Sequence, residues 1–151
     1  MTDAFVAAAQ AIYGDSVEEV KVSLAGVSRE GLNWQPAGRD TNSLAALATH
    51  AMGSTRNWLC IAFDAPSPQR DRESEFLTTV DSAEVLLAYV DAVDADCRRL
   101  FETHSEIDAG AIRIDGEDRP TAAWSLLHAV EHLREHLGQI YLTRQLWEAT
   151  P

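Results

Sequence analysis

TAAWSLLHAVEHLREHLGQI, residues 121–140, carries two superimposed patterns. In the first, Ala123, Leu126, Val130, Leu133, Leu137 and Ile140 recur at steps of 3-4-3-4-3, the apolar seam of a helix packed in a bundle. In the second, His128, His132 and His136 follow one another at steps of four along one flank of the same helix. Pro120 and Thr121 precede the pattern, so the helix is expected to begin near Thr121 and to run almost to residue 151.

Three further stretches repeat at helical spacing. Phe5, Ala9, Ile12, Ser16, Val20 and Leu24 predict a first helix over residues 2–27, with Gly14-Asp15 a place for a kink. Leu44, Leu47, Ala51 and Trp58 predict a second, capped by Asn42 or Ser43 and ending near Phe63, before Pro66 and Pro68. Leu86, Tyr89, Val93, Cys97 and Leu100 predict a third, opened by a capping box with Asp81 as cap and Glu84 as partner and fading at Thr103-His104. Residues 28–41 hold Gly31, Pro36 and Gly38 and read as a loop. Residues 64–80 are polar. A chain of that length extends ~50 Å, more than the ~30 Å of a 20-residue helix. The third helix is therefore free to start parallel to the second. In residues 105–119, Asp115-Gly116 signals a turn beside a short alternating segment. The expected fold is all-α: one domain over residues 1–151, a four-helix bundle with a long crossover between its second and third helices.

Composition limits the function. The chain has 151 residues, 46% of them hydrophobic, and a formal net charge of -12. Such acidity argues against nucleic acid and against anionic membrane surfaces. No apolar run approaches the ~18 residues of a membrane span. Residues 1–4 lack the basic start of a signal peptide, and Cys60 and Cys97 form no disulfide framework, so a reducing cytoplasm is expected.

The histidines carry the chemistry. At 100° per residue, His136 falls at the edge of the seam, His132 about 40° further out and His128 about 40° beyond that. Histidines at i, i+4 have Cα atoms ~6 Å apart, so their ring nitrogens can converge on one ion. His128 and His136, ~12 Å apart, cannot easily share one. His132 and His136 are the favoured pair, and His50, also at a seam edge, is the candidate third ligand. Three neutral imidazoles leave a coordination position open, the catalytic rather than the structural pattern. His104, at a fraying helix end, reads as solvent-exposed. His132-Leu133-Arg134-Glu135-His136 also matches an H-x-x-E-H metalloprotease pattern. That class draws a third ligand from far downstream, and only 15 residues follow His136, so no protease is expected. Glu131 and Glu135 read as a solvated acidic face. Cys60, ~15 Å along the helix from His50, is too distant to join the site. Trp34, Trp58, Trp124 and Trp147 read as core or interface aromatics, and Trp58 is placed to line a pocket.

Residues 42–59, with His50 followed by Trp58, and residues 128–140, with His136 followed by Gly138-Gln139, together resemble the DinB-like family of bacterial four-helix proteins. Leu32-x-Trp34-x-Pro36 ahead of the second helix also fits. The resemblance implies the crossover bundle, frequent homodimers, and one divalent metal, zinc or nickel, held by His50, His132 and His136. It gives His128 a supporting place beside the ligands. It also implies activity with low-molecular-weight thiols, as in transferases and isomerases that act on small electrophiles. The residues themselves leave three readings open: a metal-dependent thiol transferase, a non-catalytic metal or small-ligand binder, and a plain dimeric bundle. They name no catalytic residue, substrate or thiol.

Overall fold

The computed structural model describes residues 3–151. Four long helices form the bundle: α1 (Ala4–Leu24), α3 (Leu44–Phe63), α5 (Ala83–Thr103) and α6 (Ala122–Glu148). Two short ones, α2 (Arg29–Asn33) and α4 (Arg72–Glu75), lie in the connections. The described residues contain no strand, only isolated bridges pairing Ile112 with Thr121 and Asp115 with Asp118. The latter close the expected turn, where Gly116 takes a φ of 59° that L-residues disfavour. No helix among the described residues is long and apolar enough to cross a membrane.

Side-chain contacts fix the helix directions. Tyr89 Oη donates to Thr49 O, and Arg56 bonds Asp96, so α3 and α5 advance together and are parallel. Trp58 packs on Trp124 while His50 packs on His136, so α6 runs antiparallel to α3. Tyr13 meets Phe101 and Lys21 meets Asp91, so α1 runs antiparallel to α5. The order is up-down-down-up, and the crossover over residues 64–80 is what permits it.

The seam read from the sequence forms the centre of the core. Leu126, Leu133, Leu137 and Ile140 of α6 are essentially sealed from solvent against Leu47, Ala51 and Val17. Burying each such side chain contributes about 1.5–3 kcal/mol. Of the two caps offered for the second helix Ser43 is the one used, accepting from Ala46 N, and Thr121 caps the last helix by accepting from Trp124 N.

Four local expectations are corrected. The start predicted at Thr2 lies outside the described residues; from Ala4 the first helix runs unbroken through Gly14-Asp15 and ends at Leu24, not Val27. Its buried face includes Val6, Tyr13 and Val17, whereas Ile12 is 46% exposed. The loop over 28–41 contains α2, capped by Ser28 Oγ, and a 3-10 turn over Gly38–Asp40. The cap of α5 is Ser82, which accepts from Val85 N, rather than Asp81.

One charged cluster lies inside the bundle. Asp94 is buried and accepts hydrogen bonds from Tyr13 Oη (2.8 Å) and Lys21 Nζ (2.8 Å), with Arg98 Nε at 2.9 Å. Burial pushes its carboxyl up, but these three donors outweigh burial and hold it below the usual carboxylate range.

Candidate metal centre

His50 projects from α3, and His132 and His136 from α6, into the same interior space. His50 and His136 are buried (2% and 9% exposed), and His132 is half-buried. One ring nitrogen from each lies within 4.8 Å of the others, close enough to bind one metal ion. The structure thus brings together the three histidines singled out from the sequence, His132 and His136 of α6 and His50 of α3.

The outer nitrogens of two rings are already engaged. His50 Nδ1 lies 2.9 Å from Glu75 Oε2, and His136 Nδ1 lies 2.9 Å from Gln139 Oε1. Each acceptor places the ring hydrogen on Nδ1 and leaves Nε2 with a lone pair facing inward. His132 Nε2 then sits 3.2 Å from His136 Nε2, and His132 Nδ1 is buried without a partner. Inward lone pairs and an orphaned ring nitrogen fit a cation better than they fit a self-contained hydrogen-bond network. The donor set, three imidazoles, suits a divalent transition-metal ion.

Burial favours the neutral form of His50 and His132, the form that ligation requires. Burial lowers the pKa of His50, partly opposed by its hydrogen bond to Glu75. Burial, then the neighbouring His136 and His50, pushes His132 down to about 3.

The sequence did not reveal the support around His50. Glu75, from α4 in the crossover, is 7% exposed and receives both Arg70 Nε and Nη2 at 2.7 Å. The Phe76 ring stacks on His50 at 4.2 Å. No periodicity or motif marks Arg70 and Glu75 in a polar linker, so nothing local could have found them. Gln139 is marked in the sequence only by the family-like Gly138-Gln139 ending of the last helix.

The remaining candidates lie outside the triad. His128 stacks on Trp124 at 4.6 Å, meets Trp58 edge-on and bonds Glu131, with its ring 5.4 Å from that of His132. His104 is half-buried rather than solvent-exposed, because it stacks on Phe63 at 5.1 Å and its Nδ1 lies 2.9 Å from Leu100 O. Glu135 is exposed, as expected. Cys60 is buried beside Arg56, Pro66 and Pro68, with its thiol pushed up by burial. Cys97 is in the core, pushed up to about 12 for the same reason. Trp34 and Trp147 pair at 5.7 Å. Trp58 and Trp124 do line a cleft, with Arg119, Pro120 and Thr121.

The profile of the DinB superfamily matches residues 17–140. The chain belongs to the DinB superfamily. Its fold is similar to that in a crystal structure described as the conserved protein of a locus from Enterococcus faecalis, with a TM-score of 0.77 and 18% identity over 99% of both chains. At that identity the likeness extends to the fold alone. No curated protein matches the chain. The DinB fold thus comes with three convergent histidines.

Proposed function

We propose that this DinB-superfamily protein binds one divalent metal ion, zinc or nickel, through His50, His132 and His136 and uses it in thiol-dependent group transfer to a small electrophile. The observation that carries the metal reading is the convergence of three ring nitrogens, one pair of them at 3.2 Å with a buried unpartnered Nδ1 behind it. Metal binding is also frequent in the superfamily. An ion on three neutral imidazoles keeps a coordination position open and supplies Lewis acidity, able to hold a thiol as thiolate at neutral pH.

The protein's own residues would do the rest. Glu75 and Gln139 hold the hydrogens of His50 and His136 on the outer nitrogens. Phe76 covers one face of His50 and limits water there. Trp58, Trp124 and His128 form an aromatic wall next to His132, suited to the apolar part of a substrate. A homodimer is part of the proposal, supported by exposed apolar residues along α6, among them Leu127, Tyr141, Leu142 and Leu146. The free cysteines and the acidic charge agree with work in a reducing cytoplasm.

Elemental analysis of protein purified without a histidine tag tests the metal. One zinc or nickel per chain is expected, and substoichiometric metal after reconstitution would remove the reading. A metal-dependent assay with low-molecular-weight thiols and a model electrophile tests the chemistry. Stoichiometric metal with no thiol transfer would leave a binding protein instead.

A further inference from the structure

We propose that Arg70 and Glu75 of the crossover are positioning residues of the metal centre, with Glu75 setting the tautomer and aim of His50, and that Gly53 exists to admit the Glu75 carboxylate. The inference rests on the metal reading of the triad and extends it to residues that no sequence motif marks.

Between residues 64 and 81, Glu75 alone is buried. The crossover is thus anchored to the bundle by a carboxylate, the side chain that loses most on leaving water. An apolar residue would anchor a loop with less penalty, so the choice of a charge calls for a reason beyond anchoring. Arg70 offsets the charge with two parallel hydrogen bonds of 2.7 Å. The remaining contact of the carboxylate, at 2.9 Å, is to His50 Nδ1. A carboxylate paired with a guanidinium is ionised and only accepts, so His50 must be the donor there. Arg70 Nη2 also lies 3.3 Å from the same Nδ1. Both are then donors, so the guanidinium hydrogens serve Glu75 and not the ring. His50 is left with an inward Nε2 lone pair. Its ring plane is fixed edge-on by Glu75 and face-on by Phe76.

Gly53 lies one helical turn beyond His50 on α3. A Cβ built there would come 2.5 Å from Glu75 Oε1. That atom is the tip of a flexible side chain. An alanine would therefore push the carboxylate aside rather than break the bundle, and alanine is the better helix former.

The alternative, that Glu75 merely pins the crossover, predicts different results for three variants. Co2+ affinity of tag-free protein is measured by chelator competition, and the tautomer of His50 by nitrogen NMR of the metal-free, histidine-labelled protein. Glu75→Ala and Gly53→Ala should each weaken Co2+ binding about 10–100-fold, the usual effect of losing an outer partner. Glu75→Gln, which keeps an accepting oxygen, should lose less. The metal-free Gly53→Ala protein should melt no lower than wild type. His50 should carry its hydrogen on Nδ1 in wild type and in Glu75→Gln, and shift toward Nε2 in Glu75→Ala. Wild-type affinity in both Glu75→Ala and Gly53→Ala, or an Nε2–H tautomer in wild type, overturns the positioning role and leaves the metal site standing. Failure of wild type to take up Co2+ overturns the metal reading and the positioning role together.

Discussion

Two polar clusters are buried in this bundle, and they are built on opposite logic. Around Asp94, one carboxylate meets a phenol, an ammonium and a guanidinium, every donor has an acceptor, and opposite charges offset one another. Around His132, three bases face each other, two have neutral character enforced by burial, and a ring nitrogen has no partner. The first cluster is complete with protein atoms alone and ties α1 to α5. The second brings three ring nitrogens close enough to bind one metal ion. Burial of polar groups is tolerated when their hydrogen bonds are made, so a cluster that leaves one unmade points outside the chain for its partner.

The comparison can be broken by exchange of effects between the clusters. The largest expected effect is on metal. Replacing His50, His132 or His136 by Ala should each reduce affinity by well over the ~100-fold that marks an outer partner, whereas His128→Ala should cost 10–100-fold or nothing. His104→Ala should cost nothing. Titration with Zn2+ against a chelator checks this ranking, and a dominant loss at His128 would move the ion one turn earlier on α6. Next in size, Asp94→Ala should destabilise the fold by ~2–3 kcal/mol while leaving metal affinity unchanged. That figure is below the 3–5 kcal/mol of a broken buried pair because Lys21 and Arg98 can turn to solvent. Urea denaturation of the metal-free protein measures it, and a metal-affinity change would show that the clusters are coupled. Tyr13→Phe removes one donor to Asp94 and should cost about 1 kcal/mol in the same experiment.

A titration tests the same burial without any substitution. His50 and His132 have folded pKa values below that of the unfolded chain, so the unfolded form binds protons first. Their contribution to stability is fully present above about pH 6.5. It declines as pH falls below that value and continues to decline toward about 3 for His132, by at most ~1.4 kcal/mol per pH unit for each ring. Asp94, also depressed, loses its contribution only below the ordinary carboxylate range. Stability of the metal-free protein between pH 6.5 and 4.5 therefore reports the histidines. A flat profile there in wild type would contradict their burial as neutral bases.

Much of this was legible before any coordinates. The seam of α6 is long and regular, and the meeting of His50, His132 and His136 follows from where their helix faces point. Where the reading failed, the cause was local. Ile12 looked like a core residue because it is apolar, yet Tyr13 takes the inward position because its hydroxyl has Asp94 to meet. Asp81 and Ser82 are both competent caps, and sequence alone does not choose between neighbours. Helix α2 has five residues, too few for a period to appear. Glu75 was invisible for a different reason: its meaning lies in a contact with His50, 25 positions away, made across a crossover whose path no local rule specifies.

The crossover also divides the chain into two halves along the sequence, α1 to α3 before it and α5 to α6 after it. His50 belongs to the first half, His132 and His136 to the second. An ion shared among them would act as a removable cross-link closing a loop from residue 50 to residue 132. In chain-entropy terms a permanent tie of that span restricts the unfolded chain by on the order of 4 kcal/mol. Loading and stripping the metal would thereby switch the polymer between a closed ring and an open strand.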